Sequence, residues 1–250
     1  VMTQTALVID ADILLWEACM SCEQPYDWGD DFWTLHCDAR EAQQRFDNDV
    51  ATLKEKLNAR SVVMALSGPK NFRKDVLPTY KSNRKKTRRP VAFHAVKNYI
   101  REAYPTYEFE NIEADDVCGM LMTGMYQTKF EKVLVSTDKD LKQIPGLHYN
   151  PGHPEDGVFE VNKFDAYYNF LMQVLTGDAV DGYSGCPGVG PVGAKKVLDP
   201  DPCWVSVKNA YDKAGLTEED ALVQARVAYI LRRSDYDRKK QTVKLWRPKP

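Results

Sequence analysis

Short apolar runs that end in carboxylates constrain this chain more than any other feature of its sequence. Thr5-Ala-Leu-Val-Ile9 runs into Asp10 and Asp12, a short run at Tyr107–Glu110 leads to Glu113, Asp115 and Asp116, and Lys132-Val-Leu-Val-Ser136 precedes Asp138 and Asp140. Apolar runs this short read as buried strands. Ser61-Val-Val-Met-Ala-Leu66 is a further one. Between them lie helical patterns: a polar, amphipathic stretch over Ala39–Asn58, another over Val91–Tyr104 introduced by Pro90, and a third from about Asp115 to Tyr126. Strand–helix alternation predicts an α/β fold with a mostly parallel central sheet flanked by helices, and in such sheets chemistry collects at the carboxyl ends of the strands.

A single Asp after a strand is usually a helix cap or turn former, and for Asp115 alone capping is the expected role. Clusters at several strand ends are different. Together with Asp178 and Asp181, which open a Gly-rich segment, they would repel one another strongly without something to neutralise them. Hard divalent cations such as Mg²⁺ and Mn²⁺ take carboxylate and water oxygens and need no His or Cys. Asp138 and Asp140 lie two apart after a strand, Glu113 and Asp116 bracket a strand-to-helix turn, and Asp178 and Asp181 share a face if their segment is helical. Two cations about 4 Å apart suit in-line phosphoryl chemistry, so the residues alone point to metal-dependent phosphodiester cleavage.

The formal net charge of −2 hides a segregation. Residues 69–100 carry ten Lys or Arg against Asp75, a balance of +9 that leaves −11 for the rest. Most charge runs are simply solvated. Here Phe72, Tyr80 and Phe93 lie within the run, and aromatics that can stack on bases add weight to a polyanion site. The six cysteines offer only Cys19-x-x-Cys22 at ligand spacing and the four histidines are scattered, so zinc is not expected. No window approaches the roughly 18 apolar residues of a membrane span, and the start lacks the charged and apolar segments of a secretory signal. A cytoplasmic protein with no membrane association is the expectation.

From Asn162 onward the pattern turns helical and Gly-rich, with a strand-like tail at Gln241–Trp246. The expected division is a strand–helix core over residues 1–160, including the basic segment at about 69–90, and a helical subdomain over 161–250. Gly185-Cys-Pro-Gly-Val-Gly190 fits no phosphate-loop pattern. Flanked by helical stretches at Phe164–Leu175 and Val192–Leu198, it reads as a hairpin whose backbone N–H groups contact phosphate without reading sequence, with Lys195 and Lys196 close by.

Taken together, Val8-Ile-Asp10, Leu77-Pro-Thr-Tyr-Lys-Ser-Asn-Arg84, Ile112-Glu-Ala-Asp-Asp-Val117, Ser136-Thr-Asp-Lys-Asp140 and Gly177-Asp-Ala-Val-Asp181 resemble the motifs of the flap-endonuclease, or 5′-nuclease, superfamily in their order. The bacteriophage 5′-to-3′ exonucleases are the branch most similar, from about Leu7 to Leu198 and again at Leu245-Trp-Arg-Pro248. The resemblance implies a helical arch and a helix–hairpin–helix subdomain. It implies Asp10, Glu113, Asp115 and Asp138 as ligands of one metal, and Asp116, Asp140, Asp178 and Asp181 around a second. Lys81 and Arg84 match arch residues that neutralise the scissile phosphate, catalytic partners to Asp10 and Asp138, while Tyr80 resembles the stacking aromatic and Lys85 and Lys86 extend the DNA contact. Gly185, Gly188 and Gly190 match the hairpin that grips duplex backbone, often with a K⁺ ion on main-chain carbonyls.

Two departures stand out. The strand ending at Leu66 usually delivers another ligand Asp, but the next residue is Ser67; Asp12, on the face of Asp10 if the strand continues, is the expected compensation. The family's lysine after the Gly-rich turn is Val192, so Lys195 or Lys196 must make any phosphate contact. The resulting expectation is a monomeric, Mg²⁺-dependent 5′-to-3′ exonuclease with flap-endonuclease potential, using two ions, with Mn²⁺ as a substitute, and acting on DNA with a 5′ end, flap or junction. Two alternatives remain open: a non-catalytic DNA-junction binder, and a metal-dependent, RNase H-like activity on RNA–DNA hybrids.

Overall fold

The computed structural model describes residues 3–83 and 88–249. In chain order they form β1 (Thr5–Asp10), α1 (Ala11–Ser21), β2 (Gln24–Asp27), β3 (Trp33–His36), α2 (Ala39–Lys56), β4 (Ala59–Leu66), α3 (Arg73–Val76), α4 (Phe93–Ala103), β5 (Thr106–Glu108) and α5 (Ala114–Met120). Next come β6 (Glu131–Val135), β7 (Gly146–Tyr149), β8 (Val158–Val161), α6 (Lys163–Thr176), α7 (Pro191–Leu198), α8 (Trp204–Lys213), α9 (Glu218–Ala228), β9 (Tyr236–Asp237) and β10 (Thr242–Val243). The main sheet has the order β5-β4-β1-β6-β7-β8. All its neighbours pair in parallel except β7 and β8.

Strand β1 is buried at every position because β4 and β6 flank it and helices cover both faces, which is why it reads as an unbroken apolar run. The period of two sorts its side chains. Leu7 and Ile9 join Met64, Leu66, Val133 and Val135 in a core under α1, α2 and α4. Val8 joins Val63, Ala65 and Leu134 in a second core under α5. Asp10 shares the parity of Val8, so its carboxylate is delivered to the α5 side.

Strands β1, β4, β5 and β6 lie where the sequence places them, within two residues, while β2, β3, β7 and β8 were not expected. The helices differ more. Chain direction reverses immediately after Asp10, and Ala11 opens α1, so Asp12 stands in a first helical turn and not on a continued strand. Helix α1 leaves little amphipathic trace because Leu14, Leu15, Ala18 and Cys19 are all buried between α2, α4 and the sheet. Helix α5 ends at Met120 and passes into a π-helical turn, Leu121–Met125, in which Gly124 has φ 128°. A Cβ on Gly119 would lie 2.2 Å from the Leu231 carbonyl, so the chain's last quarter packs directly on this helix.

Helices α6 to α9 enclose a third core built on Phe170, Leu175, Trp204 and Tyr211, against which Tyr80 also packs. Trp246 seals it, with its ring 5.0 Å from those of Phe170 and Trp204. The strand-like tail is shorter than expected: only Thr242–Val243 pairs, with Tyr236–Asp237. Ile230, Leu231 and Tyr236 return to the α5 side of the sheet, so residues beyond 161 contribute to both halves. Between α6 and α7 the chain is not helical at Asp178–Asp181; an isolated bridge joins Asp178 to Tyr183 and makes a tight turn.

Gly177 and Gly185 close that turn back to back, each at φ 65°. A Cβ at Gly177 would lie 2.3 Å from the Ser184 carbonyl carbon, so Gly177→Ala adds a backbone clash to the strain of a left-handed conformation. The variant is expected to lose about 2 kcal/mol or more of stability, read as a lowered midpoint in thermal unfolding by circular dichroism.

Candidate active site

Three strand ends, those of β1, β5 and β6, and one turn bring the carboxylates together. Asp10 is 3% exposed; its Oδ2 accepts from Ser136 Oγ at 3.0 Å, the first residue past β6, while its Oδ1 has no hydrogen-bond partner among the described residues. Burial first, then Asp12 and Asp138, push the Asp10 carboxyl up to about 7. Asp115 lies in the first turn of α5, and burial with Asp10, Asp138 and Glu113 raises it well above the usual carboxylate range. Asp138 caps the 3₁₀ turn Lys139–Gln143 by accepting from the Asp140 N–H at 2.8 Å. Asp140 is raised to about 6 by burial and by Asp138, Asp178 and Asp181. The acids thus form two groups that share Asp138: Asp10, Asp12, Glu113 and Asp115 on one side, Asp140, Asp178 and Asp181 on the other.

Glu113 behaves oppositely. Burial acts to raise it, but Arg73 and Lys81 hold it at about 2. Lys81 Nζ bonds Glu113 Oε1 and lies 3.6 Å from Asp181 Oδ2. The Tyr80 hydroxyl shares its one proton between Glu113 Oε2 at 2.9 Å and Asp181 Oδ2 at 3.1 Å. Lys81 has φ 55° and its N–H donates to the Asp181 carbonyl at 2.7 Å, so the turn at Asp178–Tyr183 pins this part of the basic segment over the acidic floor.

Several expected roles change in the folded protein. Tyr80, expected to stack on bases, is 3% exposed and serves as a hydroxyl bridge between carboxylates; Phe72 is likewise buried. Asp116, expected near the second metal, is fully buried with both oxygens bonded by Arg73 at 2.7 and 2.8 Å. The Gly185 N–H, expected to face phosphate, donates to Gln224 Oε1 at 2.8 Å. Gly188 and Gly190 have open space around them, and Lys195 and Lys196 are exposed on α7. Arg84, Lys85 and Lys86 lie outside the described residues, and the described part of the expected arch contains only the four-residue α3.

Asp12 reaches the floor by another route than the one expected. From the first turn of α1 its Oδ1 accepts from the Ser67 N–H at 3.3 Å, while Ser67 Oγ accepts from the Ala114 N–H at 2.9 Å and the Ser67 carbonyl accepts from Lys97 Nζ at 2.7 Å. The basic segment is also less free than its charge implies. Lys70, Arg73, Lys81, Arg88 and Lys97 all have carboxylate partners. Sequence reasoning missed Arg73; the signal for it, an Arg beside an aromatic in a basic run, is indistinguishable from that of a surface cation.

Among the described residues no three His, Cys, Asp or Glu side chains are drawn into a ready-made cation cage. The donor set nevertheless suits a hard cation: buried carboxylates with raised proton affinity and an orphaned oxygen on Asp10.

A mostly parallel sheet thus gathers carboxylates at its carboxyl edge with a helical half beside it. The family model described as the 5′-3′ exonuclease, N-terminal resolvase-like domain matches residues 5–151, more than half of the chain. The protein belongs to this 5′-3′ exonuclease family. It is 27% identical to the exodeoxyribonuclease of Enterobacteria phage T3 and 28% identical to the exonuclease of Escherichia phage T7, each match covering 97% of this chain and 93% of the relative. Its fold is similar to that of the T5 D15 protein co-crystallised with metal ions, at a TM-score of 0.63 and 15% identity over 90% of this chain and 91% of the other. The catalytic core of Rad2 in complex with DNA substrate is similar at a TM-score of 0.52 and 15% identity, over 90% of this chain and 73% of that one.

The raised Asp10 carboxyl has a consequence for stability. Its folded-state value of about 7 lies above the unfolded value of 3.8, so the folded protein binds the extra proton and this group's contribution is lost as pH rises through about 4 to 7. In EDTA, Asp10→Asn is therefore expected to raise the thermal midpoint at pH 8 and to change it little at pH 4. Equal shifts at both pH values would contradict the assignment.

Proposed function

We propose that this protein is a divalent-metal-dependent 5′-to-3′ exonuclease acting on DNA, with flap-endonuclease capacity at 5′ ends and junctions. The unpartnered Asp10 oxygen in a floor shared with Asp115 and Asp138 carries the reading, because buried carboxylates this close call for a cation. Full-length similarity to the phage T3 exodeoxyribonuclease and the phage T7 exonuclease supports it. The flap endonuclease Xni of Shewanella pealeana, 29% identical over 64% of this chain, supports the flap capacity.

Asp10, Asp12, Asp115 and Asp138 would hold one ion and Asp140, Asp178 and Asp181 a second, with Glu113 between them. Such cations, Mg²⁺ or Mn²⁺, supply Lewis acidity at the scissile phosphate and render water nucleophilic at neutral pH. The chain's own groups do the rest. Ser136 holds the Asp10 carboxylate through Oδ2 and leaves Oδ1 available to a cation. Lys81 holds a positive charge at the acidic floor, where it stabilises the charge that develops on a phosphate undergoing attack. Arg84, Lys85 and Lys86 would guide the single strand. Gly188, Gly190, Lys195 and Lys196 would follow duplex backbone, with K⁺ held on main-chain carbonyls of the hairpin. Asp116 and Tyr80 act instead within the scaffold, as partners of Arg73 and Glu113. The core of residues 1–160 carries the chemistry together with Asp178 and Asp181, the rest of 161–250 makes the duplex contact, and a monomer in the cytoplasm suffices.

Incubating 5′-labelled duplex, 5′-flap and RNA–DNA hybrid substrates with Mg²⁺ or EDTA tests the reading. Mg²⁺-dependent cleavage of the DNA substrates is expected; binding without cleavage would establish a junction binder, and cleavage of the hybrid's RNA strand alone an RNase H-like enzyme. The double variant Asp138→Asn, Asp140→Asn should retain DNA binding by gel shift and lose turnover by about a thousandfold or more. Because phosphate contacts dominate, binding by that variant should weaken linearly in log–log coordinates with added salt and differ little between sequences.

A further inference from the structure

Arg73 belongs to the basic segment by sequence, yet it is 3% exposed. A guanidinium is buried at this depth only when its charge is matched and its donors are satisfied. Nη1 and Nη2 bond the two oxygens of Asp116, Nε donates to the Val227 carbonyl at 2.7 Å, and Nη2 donates also to the Tyr229 carbonyl at 2.8 Å. Nη1 further reaches Glu113 Oε2 at 3.4 Å. Asp116 completes the joint by accepting from the Leu231 N–H at 3.1 Å and the Glu113 N–H at 3.3 Å. Three segments distant in sequence therefore meet on one side chain: α3, the first turn of α5 and the end of α9 with its continuation to Leu231.

We propose that Arg73 is a positioning residue of the nuclease site, holding the Glu113 carboxylate in place and tying it to the helical half of the chain; the inference rests on the nuclease reading above. The other partners of Glu113, Tyr80 and Lys81, also reach Asp181 in the turn after α6, whereas Arg73 is itself fixed by Asp116 and by the Val227 and Tyr229 carbonyls. The planar fork is essential to this geometry: a lysine has three donors in a cone and cannot span a bidentate carboxylate and two carbonyls at once. The carbonyls of Val227 and Tyr229 lie beyond the 5–151 region shared with the family model, so Arg73 links that common core to the part of the chain carrying the hairpin. Arg73 thereby joins the end of α9 to Glu113, beside the Tyr80 bridge from Asp181.

Two variants test the role. Arg73→Lys keeps the charge and leaves Asp116 in place but removes the fork. The charge-neutral double variant Arg73→Met, Asp116→Leu replaces the buried pair with apolar side chains of similar size, a change that is often neutral for folding. Each is measured three ways: thermal unfolding, Mn²⁺ affinity of the DNA-free protein by electron paramagnetic resonance, and kcat and KM on a 5′-labelled flap duplex. Loss of the group that orients a ligand is expected to lower Mn²⁺ affinity and kcat about 10- to 100-fold, with KM for DNA little changed. Folded variants with wild-type Mn²⁺ affinity and kcat, altered only in thermal midpoint, would overturn the proposal and leave a structural ion pair. Absence of Mg²⁺-dependent cleavage by the wild type would instead defeat the nuclease reading, and the Mn²⁺ measurement would still decide whether Arg73 orders the floor.

Discussion

Buried carboxylates repel, and the way each one is answered organises this protein. The acidic residues at the strand ends divide by whether the chain supplies a counter-charge. Asp116 has Arg73, and Glu113 has Arg73 and Lys81, which keep it ionised far below the usual range. Asp10 has none among the described residues, and at Asp115 burial and the neighbouring acids outweigh the pull of Lys81, so the proton affinity of both rises. The unanswered acids share one floor, where a cation from solution gains most.

The basic segment is the counterpart of that floor. Its charge, conspicuous in sequence, is partly consumed within the molecule: Arg73 is interior, Lys81 is drawn to Glu113 and Asp181, and Lys97 spans the Ser67 carbonyl and Glu108. The turn at Asp178–Tyr183 anchors the segment through the Lys81 N–H and the Asn83 side chain, so the helical half reaches over the sheet half. Exposed aromatics lie elsewhere. Trp28, Phe32 and Trp33 project from the β2–β3 hairpin, while Tyr80, which the segment's composition offers as a stacking ring, is enclosed.

Much of the architecture was legible because its signals are local. An apolar run covered on both faces reads the same in sequence as in the fold, and β1, β4 and β6 lie where their Val, Ile and Leu residues put them. The carboxylates at their ends follow from the same reading. Helix α1 was not legible, since a helix buried on most sides carries no periodic contrast, and the placement of Asp12 went wrong with it. Asp178 and Asp181 share a tight turn held by Tyr183 and paired glycines, and not a helical face.

What the sequence by itself determined is the inventory and its order: parallel strands alternating with helices, acids at the strand ends, a basic segment after Leu66, a Gly-rich turn after Asp178, and the family to which those motifs belong. What only the tertiary structure decided is the pairing. Whether Arg73 faces solvent or Asp116, whether Tyr80 meets a base or two carboxylates, and which Asp10 oxygen is left without a donor depend on groups 33 to 154 residues apart in the chain. Local propensity is blind to such distances; burial, which strips water from a charge and forces it to find a partner, is what selects them.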